Sequence, residues 1–328
     1  MEKHLHPPLE QLLLALYDRH YSFVTVTPAT HHLVNQRRGN AWAESIEDIF
    51  GWNRPFKRET LDAGLFARMQ EADILRPVEQ GWQSQVRVSS IQDKLFLHSG
   101  FPTDAADAVF FGPDTYRFIH AMYGALSTLQ DKVRRCVDIG TGAGVGAILL
   151  AEALPYAESI GVDINPKALA FAAINAQACR ISNVHFQYSD LLHDLPGEFD
   201  LMIANPPYLV DPSARAYRHG HGPLGAQLSL DIVEAALARL APGGILMLYT
   251  GVAITHGHDP FIEAVKHSTK IAGCTYQYTE IDPDIFGEEL ATAAYAQADR
   301  IAAVWLLVNK PTIESDTLLQ LISATANT

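Results

Sequence analysis

The sequence predicts an α/β protein: a mostly parallel seven-stranded sheet covered by helices, preceded by a smaller module of helices and a hairpin. Three observations carry this reading. Beyond Gly100, short apolar runs of strand length alternate with stretches of helix length, as parallel neighbours joined by crossovers require. A glycine-rich turn sits where the first of these strands meets its helix. Before Gly100, helical periodicity gives way to two short alternating runs separated by a turn.

In the N-terminal part, Leu9, Leu12, Leu13, Leu16 and Tyr17 fall on one helical face after a Pro-Pro start, predicting a helix from Leu9 to His20. Helical patterns follow over Trp42 to Phe50 and Arg58 to Ala72, and then strands over Gln85 to Ser89 and Lys94 to His98. The order predicts a winged-helix-like module over residues 1–100, with an accessory or substrate-covering role. Winged helices often bind DNA, but this segment has about as many acidic as basic residues and no basic recognition helix.

Over residues 101–328, Cys136 to Ile139, Ser159 to Asp163, His185 to Ser189, Leu201 to Ala204 and Ile245 to Tyr249 read as buried parallel strands. Val145 to Ala153, Pro166 to Cys179 and Leu228 to Leu240 read as the helices between them. Thr275 to Ile281 and Ile301 to Lys310 are expected to close the sheet as an antiparallel pair.

Composition narrows the partners. Of 328 residues 48% are hydrophobic, enough for a large core. Acidic residues outnumber basic ones 37 to 24, a net charge of −13 that repels a phosphate backbone, so nucleic acid is not the expected partner. Cys136, Cys179 and Cys274 form no Cys-x-x-Cys pair and read as buried, reduced thiols. The opening residues lack the apolar core of a signal peptide, and no run approaches the roughly 18 apolar residues of a membrane span, so a cytoplasmic protein is expected.

The chemistry is concentrated at the strand ends. Val137-Asp138-Ile139-Gly140-Thr141-Gly142-Ala143-Gly144-Val145-Gly146 follows a strand and opens a helix, where glycines let a cofactor approach the backbone. Such a turn also suits nicotinamide or flavin cofactors. Asp138, however, would sit badly beside a pyrophosphate and well beside the cationic amino acid end of S-adenosylmethionine. Asp163 ends the next strand, where a carboxylate can accept both ribose hydroxyls, and its neighbour Ile164 is grouped with it. Asp190, in Ser189-Asp190-Leu191 after the third strand, can accept from an adenine amino group while Leu191 packs on the ring.

The fourth strand runs into Asn205-Pro206-Pro207-Tyr208. Two prolines fix φ and remove two donors, leaving backbone carbonyls near Pro206, with the Asn205 side-chain carbonyl, to accept from a substrate NH₂ group. A nitrogen held this way points its lone pair at the sulfonium methyl, so catalysis is mainly orientation. Tyr208 can stack on a planar acceptor and exclude water.

These residues resemble class I S-adenosylmethionine methyltransferases, which are Rossmann-like, and in particular the release-factor glutamine methyltransferase branch. The resemblance covers roughly Val109 to Lys310 and includes Leu240-Ala241-Pro242-Gly243-Gly244 before the fifth strand. It implies that Asp138, Gly140, Thr141, Gly142, Gly144, Asp163, Ile164, Ser189, Asp190 and Asn205 bind cofactor. Asn205, Pro206, Pro207 and Tyr208 would bind the nitrogen to be methylated. Phe111-Gly112-Pro113-Asp114-Thr115 resembles the branch's cofactor- or substrate-contacting segment while departing from its usual string, which makes Thr115 a candidate substrate residue. The N-terminal module also departs from the branch, so the acceptor is expected to be either a small amine or amide or a protein glutamine.

Tyr217, Arg218 and His219 are further substrate candidates, on a stretch where Gly220, Gly222 and Gly225 would permit a lid. His219 to His221 and His256 to His258, with Asp259, could chelate a transition metal, but no His-x-x-x-His pattern supports it and no metal is expected. Three other readings remain: an adenine-amino methyltransferase acting on nucleic acid, a non-catalytic nucleotide-binding partner subunit, and a nicotinamide oxidoreductase. Asp138 and the proline loop weigh against the last.

Overall fold

The computed structural model describes residues 7–126, 132–211, 215 and 217–312. The chain opens with α1 (Pro7–Tyr17), α2 (Pro28–Asn35), α3 (Ile46–Phe50) and α4 (Ala63–Glu71), then two antiparallel hairpins, β1 (Leu75–Val78) with β2 (Gly81–Ser84) and β3 (Val86–Ile91) with β4 (Lys94–Ser99). Two expected helices are shorter than their patterns because polar side chains cap them late. Ser45 accepts from the Asp48 N–H, so α3 starts there rather than at Trp42; Asp62 accepts from the Leu65 N–H, leaving only a 3₁₀ turn over Arg58–Thr60. Helix α2 and the first hairpin were not anticipated, since Pro28–Asn35 is only eight residues long with His31 its one buried residue, and β1 contains Pro77.

After α5 (Pro113–Leu126) the chain alternates: β5 (Arg135–Ile139), α6 (Val145–Ala153), β6 (Glu158–Asp163), α7 (Pro166–Ala178), β7 (Val184–Tyr188), β8 (Phe199–Ala204), α8 (Gln227–Arg239), β9 (Leu240–Ile254), α9 (Pro260–Ile271), β10 (Thr275–Asp282) and β11 (Arg300–Asn309). The seven-stranded sheet has the order β10-β11-β9-β8-β5-β6-β7, with β5 to β9 parallel and β11 and β10 added antiparallel. The order reverses at β5, which opens a crevice at the carboxyl ends of β5 and β8, where open α/β sheets hold ligands.

Alternation along each strand builds two cores. Val137 and Ile139 of β5 join α8 and α9 on one face; Cys136 joins α6, α7 and the N-terminal helices on the other. Fully burying such a side chain is worth roughly 1.5–3 kcal/mol. Of the three thiols only Cys136 is buried; Cys179 and Cys274 are half-buried, the first ending α7 and the second preceding β10, where solvent reaches.

Hairpin β3–β4 meets the larger sheet's layer through α7. The free edge of β4 would leave backbone groups unpaired in the core, a cost Asn175 removes. Its side chain accepts from the Leu97 N–H at 2.8 Å and donates to the Leu97 carbonyl at 3.1 Å and the Ala143 carbonyl at 2.8 Å. One buried amide thus ties the N-terminal hairpin to the glycine turn.

Candidate active site

A cavity of about 410 Å³ occupies the crevice. Its floor is the glycine turn. Gly140 and Gly142 adopt φ of +71° and +55°, and a Cβ at either position would meet nothing within 4 Å, so the turn faces open space into which a ligand can come against the backbone. Gly144 also has positive φ but does not line the cavity; a Cβ there would come within 2.8 Å of Ala172, so it serves the packing of α6 on α7.

Asp138 lines the cavity and is only 3% exposed. One of its carboxylate oxygens, Oδ2, accepts from the Thr141 hydroxyl at 2.7 Å and the Ala147 N–H at 2.9 Å, while burial pushes its pKa up to about 6. The Thr141 hydroxyl is therefore spent on the turn itself. Asp163 accepts the Gly142 N–H on Oδ2 and the Asn165 N–H on Oδ1, each at 2.9 Å, and burial raises its pKa too. These bonds fix the carboxylate plane, and each oxygen keeps a lone pair for a hydroxyl donor.

Ile164 and Leu191 add apolar walls, and Asp190 stands exposed at the mouth. Ser189 lines the same wall with its hydroxyl accepting from the Asp194 N–H at 3.2 Å. A pair of carboxylates, two open glycines and an apolar slot suit a cationic amino acid joined to a nucleoside; they offer a pyrophosphate little. The residues thus fit S-adenosylmethionine.

Opposite lies the loop leaving β8. Asn205, Pro206, Pro207 and Tyr208 all line the cavity. Among the described residues no protein group hydrogen-bonds the Asn205 side chain, which leaves its amide for a ligand. Tyr208 is buried, its ring edge-on to Phe286 at 6.0 Å and its hydroxyl donating to Asp114 at 2.6 Å. Its ring is pinned, and its hydroxyl is committed to the protein.

Thr115, Tyr217 and Arg218 also reach the cavity; His219 does not. The His219 ring accepts from the Asp211 N–H at 3.1 Å and faces His221 at 4.5 Å. The stretch expected to be a free lid is held: Leu209 donates its N–H to the Arg218 carbonyl and accepts the Gly220 N–H, bridging to His219, Tyr217 stacks on Phe110 at 5.4 Å and donates to the Thr103 carbonyl at 2.7 Å, and Arg218 pairs with Glu289. Gly220 and Gly225 are needed because a Cβ at either would strike the backbone of the acceptor loop or of the stretch itself, not because the stretch needs freedom. Asp259 caps α9 through the Phe261 N–H at 2.9 Å and accepts from the Tyr278 hydroxyl, a helix-capping use.

Several cavity residues escaped the sequence reading: Pro28, Phe101 and Phe110 in the roof, Asp114 at the start of α5, and Phe286 beside Tyr208. Each comes from a segment remote in sequence from the motifs, and Asp114 alone stood in a stretch already marked by resemblance.

Residues 124–272 match the model of the methyltransferase small domain. The release factor glutamine methyltransferase of Escherichia coli is 35% identical over 172 residues, 49% of this chain and 58% of that protein. That of Deinococcus radiodurans is 33% identical over 159 residues, 44% and 55% respectively. The chain thus spans a little over half the length of these curated relatives. Among solved structures, M. jannaschii TYW2 in complex with AdoMet is a distant likeness, 15% identical with a TM-score of 0.49 over 73% of this chain and 93% of that one. Motif, crevice and sequence similarity agree that this chain carries a class I S-adenosylmethionine-dependent methyltransferase domain resembling the release-factor glutamine methyltransferase branch, with S-adenosylmethionine as its cofactor.

Proposed function

We propose that the protein transfers a methyl group from S-adenosylmethionine to an amide or amine nitrogen held by Asn205 and the carbonyls beside Pro206, with a protein glutamine as the leading acceptor. The observation that carries this is the Asn205 amide, without a protein partner among the described residues, sharing one cavity with the open glycine turn and Asp163. The bound cofactor supplies an electrophilic methyl on a sulfonium. The chain supplies orientation: Asn205 accepts one hydrogen of the NH₂ group and a loop carbonyl the other, leaving the nitrogen lone pair aimed across the cavity. The nitrogen gains the methyl carbon, the carbon–sulfur electron pair stays on sulfur, and one nitrogen proton leaves through the carbonyl acceptors to water.

The similarity to release factor glutamine methyltransferases supports an amide acceptor on a protein. A small-molecule amide is the second reading, favoured by the roof that Phe101, Pro102 and Tyr217 place over the acceptor loop. In either case residues 1–100 act as the substrate-side module and 101–328 as the transfer domain. The net charge of −13 speaks against a nucleic-acid acceptor. Among the described residues no helix is long and apolar enough to cross a membrane, and a cytoplasmic setting goes with this reading.

The test is incubation with methyl-labelled S-adenosylmethionine and, separately, purified translation factors and a low-mass extract. Label in a glutamine side chain supports the first reading and label in a small amide the second. Label in nucleic acid, or cofactor bound with no transfer to any fraction, overturns both.

A further inference from the structure

Tyr208 is the far end of the acceptor loop, and its placement comes from one carboxylate. Asp114 lies in the first turn of α5, where the helix dipole favours an anion. Its Oδ2 accepts the Tyr208 hydroxyl at 2.6 Å; its Oδ1 accepts the Tyr249 hydroxyl at 2.7 Å and Arg117 Nη1 at 2.9 Å. Burial and the adjacent carboxylate hold both phenols well above their usual pKa, so both remain donors. The Tyr208 ring has a single seat, between Phe286 and Gly251 of β9, where a Cβ would overlap it.

The same turn of α5 reaches three other parts of the molecule. The Tyr116 hydroxyl accepts the Thr25 N–H at 3.0 Å and donates to the Ser90 carbonyl at 3.1 Å, both in the N-terminal module. Arg117 Nη2 donates to Asp282 at the end of β10 at 3.2 Å. Tyr249 belongs to β9. Between Tyr208 and Asn205 lie only two prolines, each with φ fixed, so a shift of the tyrosine is passed on to the asparagine.

We propose that Asp114 is a positioning residue for methyl transfer: by clamping Tyr208 and Tyr249 it sets the height of Asn205 over the cofactor turn and registers the acceptor loop against the N-terminal module. The proposal rests on the methyl-transfer reading for its kinetic consequence only. The clamp itself is a property of the chain.

Its test uses the full-length chain labelled with 3-fluorotyrosine, the Tyr208 fluorine line being assigned by its loss in Tyr208→Phe. In Asp114→Asn that line should shift and broaden, while calorimetric affinity for S-adenosylmethionine stays within about twofold. With a glutamine-containing peptide as acceptor probe, kcat should fall about 10- to 100-fold with little change in KM, as expected for a misaligned attack. Tyr208→Phe, which removes a single hydroxyl, should reproduce the kcat loss, and it carries the kinetic test if Asp114→Asn does not fold. Tyr249→Phe should lose less than about threefold, because the bond to Tyr208 survives. An unmoved Tyr208 line in Asp114→Asn, undiminished kcat in Tyr208→Phe, or a matching loss of cofactor affinity overturns the proposal. If the wild type methylates no peptide, the proposed acceptor falls and the fluorine line alone decides on Asp114.

Discussion

The two halves of the cavity are built in opposite ways. On the cofactor side, Asp138, Gly140 and Gly142 stand within five residues, and the bond closing the turn reaches from Gly142 to Asp163, 21 positions on. On the acceptor side, Tyr208 is held by a carboxylate 94 positions away, Tyr249 by the same carboxylate 135 positions away, and Tyr217 by a carbonyl 114 positions away. The first half is closed within consecutive elements, from β5 through α6 to the end of β6. The second exists only when the N-terminal module, α5 and the β8 and β9 ends have docked. Damage to the acceptor half should therefore spare cofactor binding, and the variants below test that separation.

The largest effect is expected from Asn205→Ala. Loss of the group that orients the nucleophile should lower kcat by about 10²- to 10³-fold, comparable to removing one oriented catalytic hydrogen-bonding group, with cofactor affinity measured by calorimetry falling far less than that. Next comes Asp163→Ala. Removing hydrogen bonds to a charged acceptor, worth about 1.5–3 kcal/mol, should weaken S-adenosylmethionine about 10- to 100-fold; an affinity left intact would break the assignment of the cofactor half. Gly251→Ala should displace the Tyr208 ring and destabilise by about 1–3 kcal/mol through overpacking, read as a lower Tm and slower transfer at full cofactor occupancy.

Acid should also distinguish the halves. His31 packs under Phe101 of the roof with ring centroids 4.2 Å apart, and burial, with the nearby Arg87 and Arg54, pulls its pKa down to about 4. His98, buried beneath Phe111, is lowered in the same direction by its burial and the nearby Arg87. Folded-state values below the unfolded one mean that this stability is present above about pH 6.5 and is lost as pH falls toward 4. Hydrogen exchange in β3, β4 and the roof should therefore accelerate across that window, and His31→Phe should blunt the change. Asp138 runs the other way, its raised value favouring the folded chain on the acid side and ceasing to do so as pH rises through about 6. The smallest effect follows from it: protonation below about pH 6 removes a negative charge beside the cofactor's cationic end, so affinity should drop a few-fold there, as Coulomb energies in a partly screened site imply. A flat calorimetric profile from pH 5 to 8 would separate Asp138 from the ligand.

The fold was legible where local chemistry repeats. Strands β5 to β11 lie within a few residues of their apolar runs, except β9, which starts at Leu240 because that residue pairs with Phe199 of β8 and continues to Ile254 because pairing with β11 extends it past the parallel contact with β8. In the N-terminal module, α2 and β1 were too short to declare themselves, at eight and four residues. Composition alone could not separate the roles of neighbouring glycines. Gly140 and Gly144 look equivalent in sequence, yet one faces open space and the other faces Ala172 on another helix. Gly220 and Gly225 read as hinges, but they permit close approach of backbone.

Sequence by itself determined the glycine turn after β5, the acid Asp163 that ends β6 and the Asn205 to Tyr208 loop, because each is one strand end whose geometry follows from a few consecutive residues. Tertiary structure alone decided which side chains surround the acceptor: Asp114 beneath Tyr208, Phe101 overhead, His219 turned aside toward Asp211. The physical reason is that a contact between segments about a hundred residues apart depends on how α5 and the N-terminal module pack against the sheet, and that packing is fixed by buried surface summed over the whole core.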